Sequence, residues 1–217
     1  MPSPTEPAAT PPTIEEVIAG LVSGSIAPIR SHAANVLRDL SRIDHAVYEA
    51  VASTESPALD EPLRRLSNAA NRSAIWVAIA AALALFGGRR GRRAAAAGLA
   101  AVGVSSAFVN LGVKSLASRR RPDRAGARVV HDRHVAMPSS TSFPSGHSAS
   151  GFAFATAVGR DVPWLAFPLR ALAAAVAYSR VHTGVHYPGD AIVGSLIGGA
   201  TGSVVGGAFD RHGRRGS

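Results

Sequence analysis

The sequence contains no cysteine, which excludes disulfide bridges and thiolate metal sites. Charged residues make up only 17% and aromatic residues only 6% of the 217 residues, whereas 47% are hydrophobic. Alanine, glycine and valine supply much of that apolar content. Long uncharged runs of small residues are typical of membrane helices that pack closely against one another. The composition therefore predicts a helical membrane protein.

Acidic residues are also few, at 14 against 23 lysine and arginine residues, and the formal net charge is +9. Such a charge would suit nucleic acid, but the arginines cluster at the edges of apolar runs, in GGRRGRR and RHGRR. That placement favours contact with anionic lipid headgroups, and no basic stripe is interleaved with aromatic residues. We therefore expect membrane lipids, and not nucleic acid, as partners.

The distribution of apolar residues predicts four regions. Residues 1–13 are rich in proline and threonine, which predicts a disordered N-terminus. Residues 14–72 predict amphipathic helices that lie on the membrane surface or against a helix bundle. Their two apolar sets are Ile14, Val17, Ile18, Leu21 and Val22, and Val36, Leu37, Leu40, Ile43, Val47 and Val51. A membrane domain, residues 73–210, and a basic tail, residues 211–217, follow.

Five apolar segments lie in the membrane domain, at 73–88, 94–116, 146–160, 163–180 and 188–209. The second and fifth are long enough to cross a bilayer alone, and the others are near or below the usual lower limit of about 17 residues. We expect an all-α, integral membrane helical bundle with about five transmembrane helices, and so a multi-pass protein of the cell membrane.

Five spans place the loops alternately on two sides. Residues 89–93, 159–163 and the basic tail then share one side, and every other polar cluster lies on the opposite side. The short arginine-rich turn and the tail favour the cytoplasm for the first side. Residues 117–145 also carry many arginines, which weakens that argument. On balance the pattern predicts that the polar clusters lie on the extracytoplasmic face.

The first polar cluster is KSLASRRRP, residues 114–122. Lys114 and Arg121 are two helical turns apart, which would place them on one face of a helix. Pro122 would end that helix at Arg121. Lys114 is the single lysine of the chain, and a lysine ammonium is a point charge that an arginine fork does not reproduce. Alone, this cluster is typical of a basic flank that contacts lipid headgroups.

The second cluster is FPSGHSASGFAFA, residues 143–155. Ser145 is a favourable N-cap for an apolar helix, and the free N–H groups and positive dipole end of such a helix suit an anion. Gly146 allows the backbone to approach a ligand closely, and His147 lies in the first turn. A plain helix cap with a surface histidine is the alternative.

The third cluster is SRVHTGVHYPGD, residues 179–190. His182, His186 and Asp190 would share a face of one continuous helix, as a metal site requires, but Gly184 and Pro188 interrupt such a helix. Proline instead suits the first turn of a new helix. Asp190 would then lie in that turn and reach back to His186, and a carboxylate partner fixes an imidazole as a base or nucleophile.

Together the clusters supply Lys114, Arg121 and Arg180, a helix N-terminus, and two histidines. Three cations and backbone N–H groups match a phosphate dianion and its more highly charged transition state. One histidine can attack phosphorus and the other can protonate the leaving oxygen. No cluster of carboxylates or thiolates is present to hold a catalytic metal, so we expect no metal or cofactor.

The three blocks resemble the signature of the type 2 phosphatidic acid phosphatase superfamily, which also contains vanadium haloperoxidases. That signature is a lysine, six residues and Arg-Pro; then Pro-Ser-Gly-His; then Ser-Arg, five residues, His, three residues and Asp. KSLASRRRP, PSGH and SRVHTGVHYPGD match it in order and spacing. The resemblance covers residues 70–210. Membrane members commonly have six spans, and here the first is missing or replaced by residues 14–52.

The resemblance implies a helical-bundle phosphatase that hydrolyses a lipid phosphate or diphosphate, either a polyprenyl lipid or a phospholipid. His186 would be the nucleophile that forms a phosphohistidine, Asp190 would orient it, and His147 would be the general acid. The phosphate-binding residues would be Lys114, Arg121, Ser145, Gly146 and Arg180. Hydrolysis in this family needs no metal.

Two other functions stay open. A vanadate-dependent haloperoxidase would use the same anion pocket, although such enzymes resemble larger soluble chains. A non-catalytic protein that binds lipid phosphate would need no nucleophile.

In residues 129–141, His131, Asp132 and His134 are expected to be solvated residues at the rim of the site, with a headgroup or metal contact as the alternative. His182 is expected to contact a headgroup or a catalytic residue at most.

Overall fold

The structure is a computed structural model that describes residues 13, 15, 27–116 and 118–215. Over those residues it consists of helices and loops without strands, which confirms the all-α prediction. The expected disordered N-terminus lies outside the described residues except for Thr13. The first predicted amphipathic set, from Ile14 to Val22, is also outside them.

The described residues fall into two compact units that divide between Ala46 and Val47. Helix α1, Ala27–Ser53, crosses this division. The second predicted apolar set lies within α1, where it is largely exposed up to Val47. Whether that set meets the membrane surface or another part of the protein stays a prediction.

Six further helices follow: α2 (Pro57–Ala69), α3 (Ala74–Phe86), α4 (Gly88–Ala107), α5 (Gly146–Asp161), α6 (Ala166–His182) and α7 (Pro188–Arg215). Helix α4 continues through a π-helical turn, Phe108–Val113, into a last α-helical turn, Lys114–Leu116. The five apolar segments therefore correspond to α3, the extended α4, α5, α6 and α7. Helix α7 extends beyond the predicted end of its segment at 209.

Two helical stretches among the described residues are long and apolar enough to cross a membrane, Gly88–Val113 and Pro188–Arg211. A third arises if the pair Pro57–Ala69 and Asn71–Phe86, which is bent by 64°, counts as one span. The length and composition of these helices fit a membrane protein with at least two spans.

Small residues set the distance between α5 and α7. Gly194, Gly198 and Gly202 recur every four residues on the α7 face that meets α5. A Cβ added at Gly198 would lie 2.2 Å from the backbone oxygen of Ala149, closer than any side chain could fit. This is the close backbone approach that small residues provide between membrane helices, and it places the first turns of α5 and α7 side by side.

The two ends of the bundle carry different chemistry. At one end, Arg93 at the start of α4 and Arg160 near the end of α5 each lie 2.7 Å from a carboxylate oxygen of Asp210 on α7. Arg93 also lies 3.4 Å from Asp161. The three predicted polar clusters lie at the opposite end, at the start of α5, the start of α7 and the end of α4. This confirms the predicted segregation of the clusters to one end.

Candidate active site

The three sequence clusters meet around one cavity of about 270 Å³. Its lining includes Lys114 and Arg121 from the first cluster, Gly146 and His147 from the second, and His186 from the third. The remaining lining residues are Ala70, Arg72, Ser73, Ser106, Asn110, Pro138, Ser140 and Ser150. Three cations (Arg72, Lys114 and Arg121), two imidazoles and a helix start therefore face a space of the size of a phosphate with part of its leaving group.

His186 lies in the turn between α6 and α7, and only 2% of its surface is exposed. Nη1 of Arg121 lies 3.3 Å from Nε2 of His186. Because a guanidinium only donates hydrogen bonds, Nε2 must accept, and the ring proton then resides on Nδ1. Nδ1 lies 3.4 Å from Oδ2 of Asp190, on the far side of the ring. This tautomer directs a nitrogen lone pair towards the cations of the cavity.

Burial also keeps the His186 ring neutral. It lowers the pKa of His186 to about 4, with the nearby Arg121 and Arg180 adding to the effect and Asp190 opposing it. At neutral pH the ring is therefore unprotonated at Nε2, which is the state that a nucleophile needs.

Asp190 lies in the first turn of α7, as predicted, and is fully buried. Ser142 Oγ and the backbone N–H of Tyr187, at 2.9 Å, both donate to its Oδ2, and Nη1 of Arg119 donates to Oδ1 at 2.9 Å. The Arg119 guanidinium also stacks 4.1 Å from the centre of the Tyr187 ring. These contacts fix the carboxylate beside Nδ1 of His186.

Sequence reasoning missed Arg119 and Ser142. Arg119 lies inside the first cluster, in a run of three arginines at the end of a membrane helix, and this run is the signal that could have indicated it. Ser142 lies in a loop rich in serine and threonine, STSFPS, where no feature of the sequence distinguishes it from its neighbours.

Lys114 and Arg121 both reach Ser140 of the long loop. Nζ of Lys114 lies 3.2 Å from Oγ of Ser140, and Nε of Arg121 donates to the Ser140 carbonyl oxygen at 2.9 Å. The prediction that the two cations share one helix face was wrong, because the last helical turn ends at Leu116 and residues 118–123 are not helical. After Leu116 the chain is held in a non-helical conformation by contacts such as the one between Arg119 and Asp190.

Ser145 is the N-cap of α5, and its side chain accepts a hydrogen bond from the backbone N–H of Ser148, as predicted. Its own N–H donates to the Asp190 carbonyl oxygen at 3.0 Å, which ties the second cluster to the third. Ser145 is fully buried and does not line the cavity, whereas Gly146 does. A Cβ added at Gly146 would meet nothing within 4 Å, so the space beside the helix start is open to a ligand.

Arg180 takes a position that the sequence did not indicate. It is 1% exposed, does not line the cavity, and donates from Nη1 to Oγ of Ser67 at 2.6 Å. Its Nε is buried and has no hydrogen-bond partner among the described residues. Arg180 is thus held by α2 on one side, and one of its donors remains available.

The comparisons with known proteins agree with this arrangement. The family model described as the PAP2 superfamily matches residues 94–213. This chain belongs to the PAP2 superfamily. The resemblance to the type 2 phosphatidic acid phosphatases is confirmed, and with it the prediction that the protein is a phosphatase.

Among curated PAP2 relatives, the decaprenylphosphoryl-5-phosphoribose phosphatase of Mycobacterium tuberculosis is 36% identical over 162 residues, which cover 74% of this chain and 87% of the relative. The Mycolicibacterium smegmatis protein of the same name is 35% identical over 164 residues, or 73% and 84% of the two chains.

Two solved structures share the fold. The PAP2-type phosphatidylglycerolphosphate phosphatase of Bacillus subtilis has a TM-score of 0.63 and 22% identity, and the match covers 80% of this chain and 87% of that one. Aquifex aeolicus LpxE has a TM-score of 0.58 and 22% identity, covering 75% and 94% of the two chains.

Four residues before the PAP2 match contact residues of the second or third cluster, and we call them the supporting residues: Tyr48, Asp60, Ser67 and Asn71. Ser67 binds Arg180, as described above. Oδ1 of Asn71 lies 3.1 Å from Nε2 of His147. No sequence feature distinguishes any of the four, because each lies in residues 14–72, where the apolar pattern predicts only amphipathic helices.

Tyr48 supports the turn that carries His186. Its ring packs edge-on against Tyr187 at 5.3 Å between ring centres. Gly184 has a φ of +69°, which a glycine adopts without strain. A Cβ there would lie 3.1 Å from the Tyr48 hydroxyl and 3.0 Å from Arg124. The turn between α6 and α7 therefore leaves no room for a side chain at this position.

Asp60 explains the position of His182. Oδ1 of Asp60 accepts a hydrogen bond from Nε of the fully buried Arg133 at 2.8 Å and lies 2.9 Å from Nε2 of His182. His182 is 1% exposed and does not line the cavity. His182 therefore joins α6 to α2, and the alternative of a headgroup contact in the cavity finds no support.

His131, Asp132 and His134 line a separate cavity of about 410 Å³ together with Pro57, Asp60, Glu61 and Arg64. Within the described part of the chain, no group of three or more His, Asp or Glu side chains could hold a metal ion. The metal alternative for residues 129–141 and for the third cluster thus finds no geometric support there.

Proposed function

We propose that this PAP2 phosphatase removes the terminal phosphate of a polyprenyl-linked lipid through a phosphohistidine formed on His186. The observation that carries the proposal is the orientation of His186. Its Nε2 lone pair faces a cavity lined with cations, and its Nδ1 faces a fixed carboxylate. Such an arrangement of nucleophile and orienting acid is the general pattern of activated nucleophiles.

In the first step, Nε2 of His186 attacks phosphorus, the bond from phosphorus to the leaving oxygen breaks, and His147 protonates that oxygen. Lys114, Arg121 and the free N–H groups beside Gly146 at the start of α5 stabilise the charge on the transferring phosphoryl group. Arg180, which lies behind the cavity wall, adds positive charge near the site. Asp190 stabilises the positive charge that develops on the His186 ring.

In the second step, water attacks the phosphohistidine while His147, now neutral, accepts a proton from that water. The bond between phosphorus and Nε2 breaks, inorganic phosphate leaves, and His147 is protonated again for the next cycle. No metal has a role in either step, because the cations of the chain supply the charge stabilisation. Ser145 acts through the geometry of the helix start that it caps.

The proposed substrate is a polyprenyl-phosphosugar that carries a terminal phosphate monoester. The support is the 36% identity to relatives named decaprenylphosphoryl-5-phosphoribose phosphatases over 74% of this chain, together with the family match over residues 94–213, which contains all three motif blocks. A cavity at one end of a helix bundle fits a substrate with a phosphate at one end and a lipid at the other.

The proposed arrangement in the membrane has five spans, formed by α3, the extended α4, α5, α6 and α7. Residues 73–210 are then the membrane phosphatase domain, with residues 14–72 beside it and residues 211–217 as its basic tail. In the proposed orientation the arginine-rich start of α4, residues 89–93, is in the cytoplasm, as the positive-inside rule favours. The active site is then on the extracytoplasmic face of the cell membrane.

The test is to trap the intermediate. Purified protein in detergent would be mixed with a ³²P-labelled polyprenyl-phosphosugar phosphate and quenched within milliseconds. We expect label on the protein that is stable in base and lost in acid, as a phosphohistidine is. His186→Ala should carry no label, whereas His182→Ala, in the same motif but outside the cavity, should. Label on His186→Ala, or steady turnover by it, would contradict the mechanism.

The substrate is tested separately with a panel that also contains phosphatidate and phosphatidylglycerol phosphate. We expect the highest kcat/KM with the polyprenyl-phosphosugar phosphate. A preference for a phospholipid would contradict the proposed substrate and leave the phosphohistidine mechanism intact.

A further inference from the structure

A tight turn joins α2 to α3 at the edge of the active-site cavity. The turn is one 3-10 turn, Asn71–Ser73, and the chain bends there by 64°. Arg72 has a φ of 53° and Ser73 a φ of 60°, in the left-handed region that residues other than glycine rarely adopt. Two consecutive residues in this region are costly and persist where the surrounding structure holds them, often at functional sites.

The turn projects its residues into the catalytic cavity. Ala70, Arg72 and Ser73 line that cavity opposite the start of α5. Oδ1 of Asn71, between them, lies 3.1 Å from Nε2 of His147. The strained turn thus places the Asn71 amide beside the His147 ring. The proposed function requires that ring to carry a proton.

The surroundings of His147 disfavour that proton. The ring lies in the first turn of α5, at the positive end of the helix dipole. Lys114 and Arg121 line the same cavity. Positive charge nearby drives a proton off an imidazole, and an acceptor at the ring nitrogen favours the protonated form. An amide oxygen is such an acceptor, and because an amide does not itself take up the proton, the proton stays on the ring.

We propose that Asn71 is a positioning residue that holds the catalytic proton on Nε2 of His147. The inference rests on the proposed function, in which His147 is the general acid. Before reaction, Nε2–H of His147 donates to Oδ1 of Asn71. As the bond from phosphorus to the leaving oxygen breaks, that oxygen becomes a stronger acceptor than the amide and takes the proton. The ring, now neutral, returns to Asn71 after it has deprotonated the attacking water.

This role has a signature that a structural role lacks, namely dependence on the leaving group. An alkyl phosphate has a strongly basic leaving oxygen and needs the proton. p-Nitrophenyl phosphate has a weakly basic one and leaves without it. kcat/KM reports the first phosphoryl transfer for both substrates. A residue that serves only the general acid should matter for the first substrate and not for the second.

The experiment compares Asn71→Ala with the wild type on hexyl phosphate and on p-nitrophenyl phosphate in detergent. His147→Ala should lose ~10²-fold or more in kcat/KM on hexyl phosphate, since general acids contribute 10²–10⁴-fold. Asn71→Ala should lose roughly ten-fold in kcat/KM on hexyl phosphate, because it removes only a part of the general-acid contribution of His147. On p-nitrophenyl phosphate each variant should lose much less than it loses on hexyl phosphate, because the weakly basic leaving oxygen needs no proton.

Three further proteins complete the design. Asn68→Ala removes an exposed asparagine from α2, one turn earlier, and should resemble the wild type on both substrates. Asn71→Asp retains the acceptor and should regain kcat on hexyl phosphate, with a higher KM because its charge repels phosphate. Asn71→Ala combined with His147→Ala should be no slower than His147→Ala alone, because the two residues act on one proton.

Equal losses on both substrates in Asn71→Ala would overturn the inference, since that pattern belongs to damaged folding or phosphate binding. Wild-type rates in Asn71→Ala beside a slow His147→Ala would overturn it too, while leaving the proposed function intact. If His147→Ala itself shows no dependence on the leaving group, the assignment of the general acid fails, and the role of Asn71 fails with it.

Discussion

Residues 114–190 and residues 48–71 meet at the same site but contribute to it in different ways. The first region supplies charged groups and imidazoles that face the cavity, such as Lys114 and His186. The second supplies the supporting residues, most of which contact side chains that lie behind the cavity wall, as Ser67 binds Arg180. Groups that perform chemistry must have particular identities at particular places. Groups that hold them in place can come from any element within reach.

Because residues 114–190 perform the chemistry, substitutions in this first region should cause the largest losses in kcat/KM. Asp190→Asn should lower kcat/KM by ~10³-fold or more, the scale seen when the carboxylate that orients a catalytic histidine is neutralised. The physical reason is that an amide no longer stabilises the positive charge that forms on His186. Phosphate release from the lipid substrate, expressed per folded protein, measures the effect.

Asp210→Asn is the matched control, because Asp210 lies on the same helix at the opposite end of the bundle. Its carboxylate binds Arg93 and Arg160 and is remote from the cavity. It should retain wild-type kcat/KM. Comparable losses in the two variants would show that the helix as a whole, and not its catalytic end, is sensitive to charge.

In the second region the largest effect should be on stability. Asp60→Asn leaves the fully buried Arg133 without its counter-charge. Breaking a buried ion pair in this way costs about 3–5 kcal/mol of unfolding free energy. Unfolding in mixed micelles of increasing SDS content would measure it, with kcat/KM of the remaining folded protein close to that of the wild type.

Glu61→Gln, at the next position, provides the comparison for Asp60→Asn. Glu61 forms ion pairs with Arg64 and Arg65 at the surface of α2, where solvent screens them. We expect little change in stability. If both variants unfold alike, the buried network around Arg133 does not hold the supporting region in place.

The different contributions of the two regions also explain how much the sequence revealed. Long apolar runs predicted the helices, and small residues predicted close packing, which Gly198 against Ala149 bears out. The motifs predicted that His147, His186 and Asp190 lie together at one site, because phosphate chemistry restricts the residue types at those positions. Helices α4 to α7 and the loops between them carry all three motifs and bring them to one end of the bundle.

The supporting residues could not be predicted from the sequence, for a physical reason. Serine, asparagine and tyrosine are common in amphipathic helices, and their roles depend on which helices meet, which no local pattern encodes. The same reason accounts for the error at Lys114 and Arg121. Local spacing favoured a continued helix, but contacts such as Arg119 with Asp190 hold the chain after Leu116 in another conformation.

A smaller effect should follow from Ser67→Ala, which removes the Oγ that accepts the 2.6 Å hydrogen bond from Nη1 of Arg180 and leaves the Ser67 carbonyl oxygen, at 3.3 Å, as its acceptor on α2. A hydrogen bond to a charged group is worth about 1.5–3 kcal/mol, and we expect a roughly ten-fold loss in kcat/KM as the guanidinium shifts. Ser203→Ala is the control, since Ser203 is exposed and bonds only to the Gly199 carbonyl of its own helix. A Ser67→Ala enzyme with wild-type kcat/KM would mean that Arg180 needs no support from the second region.

The smallest effect concerns pH, and it tests whether the first region holds a neutral imidazole. Burial lowers the pKa of His186 to about 4, whereas an unfolded histidine titrates near 6.5. Between these values the unfolded chain binds more protons than the folded one, so stability falls as the pH is lowered through this window. From pH 7.5 to 5.5 His186 should account for a loss of about 1 kcal/mol. His186→Gln, which cannot titrate, should lose that much less than the wild type in the same SDS unfolding assay. Equal losses in the two proteins would mean that His186 is protonated as easily in the fold as in the unfolded chain, and that its ring is not held ready for attack on phosphorus.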